Sequence, residues 1–197
     1  MAAWMRSADL EGRPLAYAAG VRVSSGPYVV HVLAGHFLDY AQLAATAKLV
    51  DEIDLREAEG RPCSFTVSER GRTLVVGTFR YELQGGLGPA IAMVPDAHTL
   101  FLGSGNEIFC YDLAAPRRLW RDAADYGLWG WEVVHDTVLM SAELEFAAWD
   151  QTGQKLWSTI VEPPWSYDLQ DNNVTLDVMG EISRFDLRIG PEKAQRP

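Results

Sequence analysis

The sequence predicts an all-β protein built from small antiparallel sheets that recur along the chain. Three observations lead to that expectation. Residues 99–120, TLFLGSGNEIFCYDLAAPRRLW, return at 137–157 as TVLMSAELEFAAWDQTGQKLW and, shortened, at 174–187 as VTLDVMGEISRFDL. Thr99, Thr137 and Thr175, one in each copy, are spaced by 38 residues. Each copy also breaks into short apolar runs bounded by turn residues, which is the punctuation of strands rather than the period of a helix.

The copies share an internal order. An apolar run follows each threonine: Leu100-Phe101-Leu102, Val138-Leu139-Met140, and Leu176 with Val178. A small residue or turn comes next, at 103–105, at Ser141-Ala142 and at Gly180. A second run then ends in an aromatic residue and an aspartate: Tyr111-Asp112, Trp149-Asp150 and Phe185-Asp186. In the two fuller copies a turn leads on to a basic residue, a leucine and a tryptophan, Arg118-Leu119-Trp120 and Lys155-Leu156-Trp157. One such sheet cannot bury both of its faces, whereas sheets stacked around an axis can. The run Trp149-Asp150-Gln151-Thr152-Gly153-Gln154-Lys155-Leu156-Trp157 resembles blades of the pyrroloquinoline-quinone-type and WD-repeat propeller families. The resemblance covers residues 89–189 best, with weaker copies from 28. It implies a fold and no particular activity. It implies no cofactor either, because the family members that use pyrroloquinoline quinone are much larger and many with the repeat bind none.

Taken in order, the chain starts with residues 1–27, in which 12–14 and 24–27 read as turns. Residues 15–23 read as one strand, placed to close a ring. Residues 28–33 are strongly β-like through Val29, Val30 and Val32. Residues 36–54 are ambiguous between helix and strands. The apolar spacing of Leu38, Ala41, Ala45, Leu49 and Ile53 suits a helix, but residues 43–50 align with 113–120, and that repeat copy is the preferred reading. Residues 64–68 are a strand, 69–72 a turn and 73–79 a strand parallel in pattern to 99–105. Tyr81-Glu82-Leu83 matches Tyr111-Asp112-Leu113, and 84–89 is a linker. The units that follow have turns at 96–98, His135-Asp136 and 171–173. Residues 1–190 are thus expected to form a single β-repeat domain, with 191–197 a disordered polar tail. Five units, beginning near residues 28, 61, 89, 127 and 165, barely fit in 197 residues. The expected architecture is a small or irregular β-propeller-like array of about five short antiparallel sheets, either a very small ring or an open array. An open array leaves a sheet edge that a homodimer or a protein partner would cover.

Composition sets the class. The chain is 48% hydrophobic, which is globular rather than disordered. Its formal net charge of −10 argues against nucleic-acid contact and suits solubility or a basic protein partner. Asp9 and Glu11 stand where a signal peptide needs an apolar stretch, and there is no run of 18 apolar residues to span a membrane. A cytoplasmic location is the expectation. Cys63 and Cys110 sit in apolar segments without a Cys-x-x-Cys, as buried free thiols would.

Candidate sites are few. Glu143 and Glu145, two apart in a predicted strand, would share a face at roughly 7 Å, within range of a glycoside hydrolase pair; the alternative is a solvent-facing acidic strip. Trp120 and Trp157 hold equivalent repeat positions and read as packing. Trp129, Trp131 and Trp165 precede the strands of their units and would line one mouth of the assembly, where an aromatic stacks on a sugar or anchors a partner. His31, His36, His98 and His135 lack metal-ligand spacing, so no metal is expected. The run LGSGNE lacks the lysine of a phosphate loop and the glycines of a nucleophile elbow. No catalytic constellation is assignable. The function expected is therefore a non-enzymatic, acidic interaction protein, in one form a bacterial immunity or antitoxin-like protein. The alternative is a carbohydrate- or small-molecule-binding module, a degenerate hydrolase using Trp129, Trp131, Trp165, Glu143 and Glu145.

Overall fold

Strands of about six residues joined by tight turns pair with their neighbours in sequence, so each repeat closes into its own antiparallel sheet. The computed structural model describes residues 20–53, 60–81 and 88–192. Among these residues there are four sheets. The second holds β6 (Ala90–Val94), β7 (Thr99–Ser104), β8 (Glu107–Asp112) and β9 (Arg117–Ala123), in that order. The third holds β10 (Leu128–Val134), β11 (Thr137–Ala142), β12 (Glu145–Asp150) and β13 (Lys155–Ile160). The fourth holds β14 (Trp165–Gln170), β15 (Asn173–Val178) and β16 (Glu181–Asp186). The expected units near 89, 127 and 165 are these three sheets.

The two earlier units merge into one. β1 (Val21–Ser25), β2 (Tyr28–Ala34), β4 (Arg61–Glu69) and β5 (Arg72–Tyr81) pair in that order, and β3 (Leu49–Glu52) adds parallel to β5. Val21–Val23 therefore belongs to β1, paired with β2, rather than to a strand that closes a ring; residues 15–19 lie outside the described residues. The preferred repeat reading of 43–50 is corrected. Tyr40–Thr46 is a helix, α1, and only the residues after it form a strand. Ala41, Leu43, Ala44 and Ala45 are strong helix formers, and β5 offers that helix a surface to pack on. It lies on the face of the first sheet turned away from the second: Val76 and Thr78 point that way and are still buried, and the Tyr40 hydroxyl donates to Glu52 Oε1 at 3.2 Å. The readings of Asp54, Glu82-Leu83, 84–87 and the tail beyond 192 fall outside the described residues.

Three hydrophobic cores lie between successive sheets. Tyr28, Phe65 and Phe79 meet Phe109 and Tyr111 between the first and second. Phe101, Ile108 and Cys110 meet Met140 and Trp149 between the second and third. Phe146 and Ala148 meet Val174 and Leu176 between the third and fourth. Among the described residues no core joins the fourth sheet back to the first. The fold is an open, propeller-like stack of β-sheets.

The repeat motif is the device that stacks them. Asp112, Asp150 and Asp186 end the third strand of their sheets, and each carboxylate accepts backbone N–H groups of the turn that follows: Ala114 and Ala115, Thr152 and Gln154, Arg188 and Ile189. Partial burial pushes the Asp150 carboxyl up, but the Thr152 hydroxyl and the turn amides outweigh it and hold the group below its ordinary value. The tryptophan of each fourth strand reaches the turn of the next sheet. Trp120 Nε1 donates to Gly153 O at 2.6 Å, and Trp157 Nε1 to Leu187 O at 2.7 Å. Gly153 and Gly190 hold φ of +90° and +81° beneath these rings. The first sheet has no such tryptophan. There Asp51 of β3 accepts from the Tyr111 hydroxyl at 2.9 Å and from Arg118 at 3.0 Å.

The stack ends by a change of residue type. Phe101, Ile108 and Cys110, and one repeat later Leu139, Phe146 and Ala148, face the sheet that follows. The equivalent positions of the fourth sheet are Asp177, Ile182 and Arg184. Its outer face also carries Ser166, Asp168, Asn173 and Thr175. A terminal repeat with a polar outer face caps such an array.

Two outcomes follow. A Cβ at Gly153 would lie 2.7 Å from Cys110 Sγ in a left-handed backbone, so Gly153→Ala should lower stability by about 2 kcal/mol or more in urea unfolding. The double substitution Asp177→Leu with Arg184→Leu should restore an apolar outer face, and sedimentation velocity should then show concentration-dependent association absent from the parent.

Candidate functional site

Trp129, Trp131 and Trp165 do not form one group. A β-bulge between Leu128 and Gly130 inserts Trp129 as an extra residue in β10, and the extra residue reverses which face its neighbours take. Trp131, opposite Met140, consequently turns toward the second sheet and packs on Phe101 and Trp149 at 5.5 Å from each. Among the described residues its buried Nε1 has no hydrogen-bond partner. Trp129 turns the other way and stacks on Trp165, with centroids 5.3 Å apart and planes 12° from parallel. Trp165 Nε1 donates to the Glu143 carbonyl at 3.2 Å, and the ring also meets Phe146 at 5.4 Å. The Trp129–Trp165 pair thus joins the first strands of the third and fourth sheets.

Beside Trp165 lies an open cavity of about 370 Å³, lined by Pro164, Trp165, Ser166, Asp177, Met179 and Gly180. It has one carboxylate, Asp177, which is engaged by the Gly180 amide at 2.8 Å. Tyr167, further along β14, donates to Glu132 at 2.6 Å; burial, then that carboxylate, push its phenol well above the ordinary value.

The two glutamates are not a facing pair. Glu143 precedes β12, in the bend that joins it to β11, so strand alternation does not govern its direction. Glu145 opens β12 and is buried, at 7% exposure, rather than part of a solvent-facing strip. Its carboxylate accepts from Ser158 Oγ at 2.5 Å and from the Asp125 amide at 3.3 Å. Those bonds occupy it in holding β13 and the approach to β10. The sequence carried a signal for this role. Glu107, Glu145 and Glu181 stand five residues before Asp112, Asp150 and Asp186, so the glutamate belongs to the repeat. In the second sheet Glu107 binds Arg121 of β9 through two contacts, 2.8 and 3.1 Å. Cys63 and Cys110 are buried free thiols, each pushed up to about 12, by burial first.

No protein-family model matches the chain, and no curated protein sequence matches it. Solved structures do. The β-propeller domain of the Trilobed protease from Pyrococcus furiosus is 11% identical at a TM-score of 0.45, over 82% of this chain and 49% of that one. The 644–1017 segment of HIRA is 8% identical at 0.45, over 82% and 47%. The computationally designed Ika8 protein is 13% identical at 0.42, over 86% and 58%. The chain spans about half the length of the first two. Among the described residues no helix is long and apolar enough to cross a membrane.

Because the Glu145 carboxylate is buried and doubly bonded, Glu145→Gln should weaken the β12–β13 edge and lower stability by about 1–2 kcal/mol. Urea unfolding followed by tryptophan fluorescence measures it, with Ser158→Ala expected to shift the midpoint the same way.

Proposed function

We propose that this chain is a non-enzymatic binding protein that recognises another protein through the open end of its stack. The observation that carries the reading is the fourth sheet, whose outer face bears Asp177, Ile182 and Arg184 where the preceding sheets bear core residues, with Ser166, Asp168, Asn173 and Thr175 beside them. A β face with the exposed carboxylate of Asp168, on a chain of net charge −10, suits a basic partner, since complementary charge speeds encounter and fixes orientation. The specific form we favour is an immunity or antitoxin-like protein that neutralises a basic toxin.

A second reading is supported by the cavity beside Trp165. A ring at the wall of a 370 Å³ hollow suits an apolar sugar face or another flat ligand, with Trp129 holding Trp165 in place. Glu145 and Trp131 have no part in that version, because Glu145 bonds Ser158 and the Asp125 amide and Trp131 packs on Phe101 and Trp149; Glu143 enters it only through its carbonyl, which holds Trp165.

Affinity capture of the tagged full chain from its native organism, read by mass spectrometry and followed by mass-calibrated gel filtration, separates the two. The binding-protein reading expects one stoichiometric partner of high isoelectric point, released by raising salt. A lone monomer, combined with a saturable change in tryptophan fluorescence on titration with a sugar panel that Trp165→Ala abolishes, would establish the second reading instead.

A further inference from the structure

We infer that the free edge of β16 is a docking strand for an extended segment of a partner protein that carries an arginine or lysine within reach of Glu181. The inference rests on the binding-protein reading and names where the partner sits.

The repeat supplies the comparison. β8 is covered by β9 and β12 by β13, each adding a fourth strand to its sheet. β16 has the same frame, Glu181-Ile182-Ser183-Arg184-Phe185-Asp186, and pairs with β15 along one edge. Among the described residues no strand pairs with its other edge. In the covered sheets the leading glutamate is bonded to the fourth strand: Glu107 to Arg121, and Glu145 to Ser158. Glu181 is exposed, and among the described residues no side chain bonds to its carboxylate. The open position therefore resembles a covered one from which the partner of the glutamate is missing.

The backbone is set for pairing. β15 and β16 are joined by Met179-Gly180 alone, with φ of +55° and +91°, the values of a type I′ hairpin turn. Residues flanking such a turn exchange hydrogen bonds, and the pattern alternates from there. Glu181, Ser183 and Phe185 thus bond to β15, leaving the N–H and C=O of Ile182 and Arg184 directed at the free edge. Their equivalents Phe146 and Ala148 stand opposite Thr159 and Trp157 of β13. An incoming strand finds the same unpaired ladder.

Chemistry narrows the occupant. A second copy pairing β16 to β16 must set outward-directed residues opposite one another, and the two-fold register centred on Arg184 places Arg184 against its own copy, a like-charge contact. A segment patterned on β9, Arg117-Arg118-Leu119-Trp120-Arg121-Asp122-Ala123, has no such conflict. In the β8–β9 register its tryptophan falls opposite Arg184 and its third arginine opposite Ser183, diagonal to Glu181. Cation and ring then face each other at one position and opposite charges at the next.

The probe is a fluorescein-labelled synthetic heptapeptide, RRLWRDA, titrated into the full chain and followed by anisotropy. Saturable one-to-one binding is expected, weakened at least tenfold by Glu181→Arg. A second peptide, RRLWEDA, should bind the parent poorly and regain affinity for the Glu181→Arg variant. Ile182→Pro should abolish binding; because proline can also disturb the hairpin, the exposed Glu181 exchange is the deciding variant. By hydrogen-exchange NMR the Ile182 and Arg184 amides should exchange fast in the free protein and slow with peptide present. No saturable binding, or binding indifferent to Glu181→Arg, overturns the inference. So do amides already protected in the free monomer, which would show a segment of this chain on the edge, and protection that grows with dimer mass, which would show a second copy. A native partner captured equally by the parent and the Glu181→Arg variant would leave the binding-protein reading standing and remove this site from it.

Discussion

Trp120 and Trp157 reach out of their own sheets and donate their indole N–H groups to carbonyls in the next sheet's turn. The rest of the stack depends on that contact. A sheet of six-residue strands is too small to stand alone, so its stability resides in the interfaces on either side. The rings close the second–third and third–fourth interfaces, and the turns that receive them are shaped for the purpose. An aspartate gathers the turn amides, and a glycine in left-handed conformation leaves room where a side chain would collide. Aspartate, glycine and tryptophan thus form one contact distributed over two repeats, which explains why they recur together.

The ends of the stack are handled by different means. At the first sheet α1 packs on the face turned away from the second, and an additional parallel strand, β3, brings Asp51 to Tyr111 and Arg118. Burial, then the Asp51 carboxylate, push the Tyr111 phenol well above its ordinary value, as expected of a hydroxyl committed to donating in a dry interface. At the fourth sheet the chain alters residue type and exposes a polar face. An open array of this kind presents two unlike ends, and among the described residues the second leaves the edge of β16 without the fourth strand that covers its equivalents β8 and β12. That asymmetry directs attention to β16 as the place where a partner would meet the molecule.

The aromatic and acidic residues that look most chemical belong mainly to this stacking. Trp131 packs between the second and third sheets, Glu145 secures β13, and the Trp129–Trp165 pair ties the third sheet to the fourth. The hollow beside Trp165 and the edge of β16 both lie on the fourth sheet, where a ligand or partner could reach them.

The sequence by itself determined the all-β class, the positions of the last three sheets and most of their turns, because the period and the turn residues are local and each strand pairs with its neighbour. It also carried the glutamate five places before each aspartate, legible once the copies are aligned. Tertiary structure decided the rest. The fate of residues 40–52 turned on β5, which offered a helix one face to pack on and a parallel strand one edge to join. The directions of Trp129 and Trp131 turned on a single bulge, which reverses strand alternation without leaving a mark in composition. Glu145 reads as exposed from its charge, and it is buried because Ser158 and the Asp125 amide lie close enough to bond it. In each case the deciding partner is distant in sequence or set by one residue of register, and a periodic pattern encodes neither.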